Sequence, residues 1–209
     1  MDLPIATSQL SQTSLHWPNA QLIQELEATQ LLRTWLGRRI EISVRGEQSL
    51  ESWQEQQFTE AARQLFLELG SSLDQVCLSL LQSDDAHLAQ EWYFKLQEGD
   101  ADFRSLALQS PGINRQRAGS LGPMRLEELQ APLDRLALRA QPGVVQPPLR
   151  MPNGRNIVLR LDLRQPAQWD DATRQELIQR LHRRWLAEAI NSLLEREPAP
   201  GELCSIPMP

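Results

Sequence analysis

The chain has 209 residues, of which 41% are hydrophobic and 23% are charged, and its formal net charge at pH 7 is −6. This is the composition of an ordinary globular protein, and it excludes a collagenous or wholly disordered chain. No apolar run approaches the roughly 20 residues that a membrane-spanning helix needs, so we expect no stable insertion into a membrane. Two cysteines, Cys77 and Cys204, are too few for a disulfide framework or a zinc site.

The pattern of charge argues against a nucleic-acid partner. Basic residues are interleaved with acidic ones, and aromatic residues make up only 5% of the chain. The sequence therefore lacks the basic patch with stacking aromatic side chains that nucleic-acid binders use. The three histidines lie far apart without ligand spacing, so we expect no metal site. Residues 1–5 show no secretory signal pattern, which predicts a cytoplasmic location.

The N-terminal part is predicted to be helical after a flexible tail at residues 1–18. Asn19 is a suitable N-cap, and the apolar residues that follow recur at helical spacing, which predicts a helix that ends at Gly37. Residues 40–44 alternate between apolar and polar, as in a short strand or the frayed end of a helix. A second helix is predicted over residues 49–69.

The middle of the chain changes to a mixed pattern. Alternation over residues 76–81 predicts a strand, and the acidic run that follows it opens a helix that ends at Gly99. A helical turn at residues 103–107, a turn or edge strand at 121–124 and a short helix within 126–139 come next.

A hairpin and a long helix complete the predicted elements. Asn153-Gly154 suits a tight turn, and it joins an extended segment at residues 144–148 to an alternating strand at 155–163. The last helix is predicted over residues 171–195, and the proline-rich segment that follows it is predicted to be unstructured. The order of elements indicates an α+β fold, with helices flanking a small sheet in which antiparallel pairing predominates.

Four short motifs follow the strand at residues 76–81. They read LQEGDADFRSLA at 96–107, AGSLGP at 118–123, PGVVQPP at 142–148 and GRNIVLRL at 154–161. In this order and spacing, residues 76–164 resemble a parvulin-type peptidyl-prolyl cis-trans isomerase domain. The helices before this segment and the single long helix after it resemble the layout of the SurA/PrsA type of isomerase-chaperone.

The resemblance implies a domain organisation in which the terminal helices fold together around a parvulin-like domain. The expected segments are a flexible tail (1–18), an N-terminal helical region (19–72), the parvulin-like domain (73–166), a C-terminal helix packing on the N-terminal helices (167–197) and a second flexible tail (198–209).

The activity implied by the resemblance is peptidyl-prolyl isomerisation combined with chaperone function. The clients would be proline-containing unfolded or exported polypeptides, and association with a protein export or processing system is expected. Rotation about the prolyl bond crosses a barrier of about 18–20 kcal/mol but requires neither a nucleophile nor a cofactor. The alternative is a catalytically degenerate parvulin-like chaperone or adaptor that binds peptides without turning them over.

The family's apolar socket for the proline ring falls on Leu121, Leu129 and Leu133, with Met124 close by in sequence. These leucines are equally suited to an ordinary core, and the sequence leaves both interpretations open. The socket's polar neighbour falls on Gln130, which the resemblance makes a candidate catalytic residue.

The polar centre of the family is altered in this chain. Ser79 and Asn156 stand where the family has histidines, and the resemblance makes them candidate catalytic residues that are able to hydrogen-bond to one another. The family's central Cys or Asp falls near Gly112. In some members of the family a basic cluster in this loop selects an acidic or phosphorylated residue before the proline, and the resemblance makes Arg115 and Arg117, in the loop beside the expected site, candidates for that role.

Overall fold

The structure is a computed structural model that describes residues 13–110 and 113–209. In chain order, its elements are β1 (Ser14–His16), α1 (Ala20–Ala28), α2 (Leu32–Arg45), α3 (Leu50–Leu69), β2 (Gln75–Ser83), α4 (Ala86–Glu98), α5 (Phe103–Ala107), α6 (Ile113–Gln116), β3 (Ser120–Arg125), α7 (Leu133–Arg139), β4 (Val145–Arg150), β5 (Asn156–Gln165), α8 (Asp171–Glu195) and β6 (Leu203–Ser205). Short 3₁₀ turns precede β2 at Gly70–Leu73 and follow β3 at Leu126–Glu128.

The chain folds into two compact units. Among the described residues, one unit is formed by those up to Leu65 together with Asp170–Pro209, and the other by those within Phe66–Trp169. The division falls within α3. Along the described residues, no helix combines the length and the apolar character needed to cross a membrane.

In the first unit, α8 packs against α2 and α3. Asp170 caps α8 by accepting a hydrogen bond of 2.8 Å from the Thr173 backbone N–H. The rings of Trp53 in α3 and Trp185 in α8 lie 5.3 Å apart between centroids, within the core of this unit. Aromatic contacts of this kind add stability beyond the burial of apolar area alone.

The helices of this unit differ from the sequence prediction at two places. The chain breaks between α1 and α2 at Gln30, whose φ angle is +58°. The predicted helix end at Gly37 is wrong, because α2 continues through it to Arg45 and makes residues 40–44 helical. Gly37 is buried beside α8, and a Cβ atom there would make only an ordinary contact of 3.6 Å with Ile190 Cδ1.

The two segments expected to be flexible tails contribute a small sheet. Residues 1–12 lie outside the described part of the chain, but Ser14–His16 pairs antiparallel with Leu203–Ser205. Leu15 is 1% exposed, and its cross-strand partner Cys204 is 0% exposed. The expectation that both segments are unstructured is therefore wrong for these residues. Two strands from opposite ends of the chain pair with one another, and this pairing buries Leu15 and Cys204.

The second unit is built on a four-stranded antiparallel sheet in the order β3-β2-β5-β4. This sheet and its flanking helices confirm the expected α+β fold class. The prolines at positions 147 and 148 lie in β4, an edge strand, where a missing N–H is tolerated.

Two apolar clusters cover the two faces of this sheet. The α7-side cluster comprises the buried residues Val76, Leu78, Leu80, Leu126, Leu129, Leu133, Ala137, Met151, Ile157, Leu159 and Leu161. The α4-side cluster comprises the buried residues Leu81, Ala89, Trp92, Phe103, Leu106, Ala107 and Val158. Side chains alternate between the faces of a strand, so β2 and β5 supply residues to both clusters.

Both neighbours of β2 carry a bulge opposite Cys77. On β5, Asp162 has no cross-strand partner, and on β3 the pair Gly122–Pro123 lies opposite this single residue. Gly122 has a φ angle of +105°, and a Cβ atom there would lie 2.5 Å from the Val76 carbonyl oxygen. Only glycine fits this position.

Candidate functional site

An open groove lies between the start of α7 and the turn that joins β4 to β5. Its cavity volume is about 480 Å³, within the range of small-ligand sites. It is lined by Ala131, Pro132, Arg135, Arg150, Met151 and Pro152.

Local structure places these lining residues. Pro132 precedes the first residue of α7, and Arg135 follows it by three positions, so that both lie on the same side of the helix start. On the other wall, the Met151 N–H donates to the Arg155 carbonyl at 2.7 Å, and the Gly154 N–H donates to the Met151 carbonyl at 2.9 Å. These bonds hold the turn that the Asn153-Gly154 pair predicts.

Met151 connects the groove to the core of the unit. Its side chain lines the groove, is 9% exposed, and belongs to the α7-side cluster together with Leu129 and Leu133. The floor of the groove is therefore apolar and continuous with packed core, which keeps its shape defined in the absence of a ligand.

The three leucines of the expected socket lie in one cluster. Leu129 and Leu133 are 7% and 8% exposed and belong to the α7-side cluster, and Leu121 packs against it from β3. Met124, which pairs with Val76 across the β2–β3 ladder, packs there as well. These side chains lie in the core beside the groove, and none of them is among its lining residues.

Ser79 lies on the opposite face of the sheet from these leucines. Its neighbours in β2, Leu78 and Leu80, belong to the α7-side cluster, so strand alternation directs Ser79 to the α4 side. Asn156 is likewise directed to the α4 side, because the next residue in β5, Ile157, belongs to the α7-side cluster.

Ser79 belongs to a polar network on the α4 side. Its Oγ donates to Asp162 Oδ2 at 2.7 Å, and Arg160 Nε donates to Asp162 Oδ1 at 2.6 Å. The Arg160 guanidinium also lies over the Phe103 ring, 5.0 Å from its centroid. The Ser79 side chain is thus engaged in the folded chain, and it is only 8% exposed.

The expected hydrogen bond between Ser79 and Asn156 is wrong. Ser79 stands opposite Arg160 in the β2–β5 ladder, whereas Asn156 stands opposite Ser83, four positions further along. Asn156 Nδ2 donates instead to the Ser83 carbonyl at 3.4 Å. The register of the two strands separates the side chains beyond hydrogen-bonding reach.

Of the remaining predicted residues, those that the structure describes do not line the groove. Gln130 is exposed and directly precedes Ala131, which lines the groove. Arg115 and Arg117 are exposed in and after α6, on the path to β3, and neither lines the groove. Gly112 lies outside the described residues.

Sequence reasoning missed the residues that line the groove. The Met151–Gly154 turn was visible in the sequence as a hairpin, but nothing in it pointed to binding. No sequence motif indicates that Arg135 and Arg150 lie close together, because their shared location depends on α7 and β4 meeting in space. Among the described residues, no group of three or more metal-binding side chains comes together.

Comparison with known proteins supports the fold. No family model matches the chain, and no curated protein matches it. Among solved structures, it is similar to the peptidylprolyl isomerase PrsA from Bacillus anthracis, with 17% identity, coverage of 86% of this chain and 82% of that chain, and a TM-score of 0.50.

Two further structures align less well. The foldase protein PrsA from Streptococcus pneumoniae aligns with 12% identity over 87% of this chain and 75% of that chain, with a TM-score of 0.49. The parvulin domain of PpiD from E. coli aligns with 21% identity over 47% of this chain and 95% of that chain, with a TM-score of 0.40. At such identities a likeness establishes the fold alone. The chain has a fold like that of the PrsA peptidylprolyl isomerase, a parvulin-like α+β unit with flanking helices.

Proposed function

We propose that this protein is a peptidyl-prolyl cis-trans isomerase and chaperone that acts on proline-containing, unfolded or exported polypeptides. The observation that carries the proposal is the open groove with an apolar floor at Met151, beside the residues on which the parvulin socket falls. The parvulin-like fold is consistent with this assignment.

The groove meets the first physical requirement of the reaction, which is a seat for the proline ring. Pro132, Met151 and Pro152 supply apolar surface for it. Burial of a ring of this size contributes about 1.5–3 kcal/mol, so binding is weak unless the flanking residues of the client add contacts. The exposed Gln130 amide lies next to this seat in sequence and is available to hydrogen-bond a client backbone.

A second candidate function is peptide binding without catalysis. It is favoured by the engagement of Ser79 with Asp162 and of Asn156 with the Ser83 carbonyl, on the face of the sheet away from the α7-side cluster. A twisted prolyl amide needs polar groups aimed at it to lower the rotational barrier. Neither of these two side chains is among the groove's lining residues.

A protease-coupled isomerisation assay on X–Pro peptides, with Ala131→Trp as the variant, tests the proposal. Ala131 is exposed and lines the groove, so a large ring at this position fills the groove without removing a core contact. We expect the full chain to accelerate isomerisation above the thermal rate, and we expect Ala131→Trp to abolish the acceleration while the protein still melts cooperatively.

The matched control is Ala187→Trp, at an exposed position of α8 that is distant in sequence and does not line the groove. It should retain wild-type activity. Fluorescence titration with the same peptides separates the two candidates. If the wild type binds the peptides without accelerating their isomerisation, and Ala131→Trp no longer binds them, the protein is the non-catalytic chaperone. The absence of both binding and acceleration would rule out the groove as a client site.

A cytoplasmic location and an association with a protein export or processing system are parts of the same proposal. Cross-linking in cells followed by fractionation tests both, because it reports the compartment of the chain and the proteins bound to it. Recovery with neither polypeptide clients nor export components would contradict the association.

A further inference from the structure

A second concave site lies in the first unit, in a cleft between α3 and α8 with a cavity volume of about 450 Å³. Its apolar lining residues, Phe58, Leu181 and Trp185, are buried and form the floor. Exposed charged side chains, among them Arg184 and Glu188, lie at its edge. An apolar centre with a polar rim is typical of a surface that binds a polypeptide.

A segment of the same chain, Pro207–Pro209, lies at this α3–α8 cleft. The Trp185 Nε1–H donates to the Pro207 carbonyl oxygen at 3.0 Å, and Pro209 is itself one of the lining residues. Proline-containing segments bind to other proteins in grooves that are lined by aromatic rings. The chain therefore places a segment with the chemistry of a ligand against an aromatic cleft of its own.

The Pro207–Pro209 segment is held loosely, whereas the residue before it is firmly anchored. Ile206 is 5% exposed, and its N–H donates to the Thr13 carbonyl oxygen at 2.9 Å. The three residues that follow are all exposed. Along the described part of the chain, the hydrogen bonds to them are the one from Trp185 and a 3.7 Å contact from Thr13 Oγ1 to Met208 Sδ. Release of the segment therefore leaves the β1–β6 pairing in place.

We propose that Pro207–Pro209 is an internal ligand of the α3–α8 cleft, and that a proline-containing segment of another polypeptide displaces it in order to bind there. The inference goes beyond the proposed function, because the cleft belongs to the other unit and its occupation involves no catalysis. A tethered segment competes at an effective concentration of about 1 mM. A free segment with a dissociation constant of about 0.1 mM would then bind about tenfold more weakly to the covered cleft than to the open one.

The test is a fluorescence anisotropy titration with the labelled peptide Ser-Ile-Pro-Met-Pro, which copies residues 205–209. Pro207→Gly/Pro209→Gly removes both rings and frees the backbone of the segment, so this variant should bind the peptide about tenfold more tightly than the wild type. The matched control, Pro166→Gly/Pro200→Gly, changes two exposed prolines that do not line the cleft, and it should bind like the wild type.

A substitution in the cleft identifies where the peptide binds. Ala61 is an exposed lining residue on α3, so adding Ala61→Trp to the double glycine variant should fill the cleft and abolish binding. Its control is Ala172→Trp, at an exposed position of α8 outside the cleft, which should leave binding unchanged. A parallel series carrying Ala131→Trp excludes binding to the groove beside α7, and the tenfold difference should persist in it.

A single variant keeps the test valid if the two glycines lower the melting temperature. Pro209→Glu places a carboxylate beside the lining residues Glu60 and Glu188, and repulsion should release the segment and tighten peptide binding.

Equal affinity of the wild type and the released variants for the peptide would overturn the internal ligand, as would undiminished binding in Ala61→Trp. The absence of binding to every protein at about 1 mM peptide, the effective concentration of the tethered segment, would overturn it as well. Each of these outcomes leaves the proposed function standing, because isomerisation in the groove is measured separately.

Discussion

The Ser79 hydroxyl donates a 2.7 Å hydrogen bond to the carboxylate of Asp162, a residue with no cross-strand partner in the β2–β5 ladder. The bulge at Asp162 brings this carboxylate back toward β2, where it also accepts from Arg160. A position at which the parvulin family has a histidine thus serves here as part of a structural network.

This network predicts the effect of removing the Ser79 hydroxyl. Ser79→Ala should lower the free energy of unfolding by about 1–2 kcal/mol, because a mostly buried hydrogen bond to a carboxylate is lost. Peptide binding in the groove should not change, since the side chain lies on the other face of the sheet. The measurements are urea unfolding and peptide titration on the same variant.

Its control is Ser120→Ala, at the exposed β3 residue that pairs with Ser79. This change should alter stability by less than about 0.5 kcal/mol. Weakened peptide binding in a stable Ser79→Ala variant would place the hydroxyl in the binding site instead of the network.

A leucine pair tests whether the expected socket is core. Leu129→Ala should destabilise the protein by about 2–5 kcal/mol, because Leu129 is buried in the α7-side cluster. Leu138→Ala, at a position that is 44% exposed on α7, should have little effect. Thermal melting measures both, and similar small shifts for the two variants would show that Leu129 is not a packed core residue.

His182 predicts a pH dependence of stability in the first unit. Burial among Trp53, Phe58 and Trp185 lowers the pKa of His182 below its usual value, and the Glu41 carboxylate 3.7 Å away opposes this only in part. In the unfolded chain the pKa returns to about 6.5. At pH values between the two pKa values, the unfolded state therefore binds more protons than the folded state. As a result, the free energy of unfolding falls as the pH drops below about 6.5.

Urea unfolding between about pH 5 and pH 7 measures this slope. His182→Phe should flatten it, because the titrating group is removed and an aromatic ring is retained. His87→Gln, at an exposed position, should leave the slope unchanged. An identical slope in His182→Phe would assign the pH dependence to other groups.

Two glycines should respond in opposite ways to alanine. At Gly37 a Cβ atom would lie 3.6 Å from Ile190 Cδ1, an ordinary contact within a helix, so Gly37→Ala should stabilise the protein by about 0.5–1 kcal/mol. At Gly122 it would lie 2.5 Å from the Val76 carbonyl oxygen at a φ angle of +105°, so Gly122→Ala should destabilise the protein. Calorimetric melting distinguishes the two, and a gain in stability at Gly122 would contradict the close approach of β3 to β2.

The terminal sheet predicts the effect of shortening the chain. Removing residues 203–209 should expose Leu15 and remove the Pro207 carbonyl that accepts from Trp185 Nε1 at 3.0 Å. We expect a lower melting temperature and increased binding of an apolar dye. Removing only Met208 and Pro209, which are exposed, should have a much smaller effect. Equal melting temperatures for the two truncations would show that the β1–β6 pairing contributes no stability.

Local patterns in the sequence were sufficient for most elements of the fold. The last helix was predicted over residues 171–195, and α8 spans the same residues in the structure. Asn153-Gly154 predicted the β4–β5 turn, and the alternation after it predicted β5. These features depend on backbone preferences and side-chain periodicity over a few neighbouring residues, which a sequence displays directly.

Residues far apart in sequence decided the rest. Gly37 ends no helix because α8 packs beside it, and Leu15 forms a strand because Cys204 pairs with it. The motifs at residues 96–161 indicated the parvulin-like fold, but the partners of Ser79 depended on a bulge at Asp162 that no local pattern marks. The groove likewise exists only where α7 meets the β4–β5 turn. Contacts of this kind are set by packing and strand register in three dimensions, and only the tertiary structure determined them.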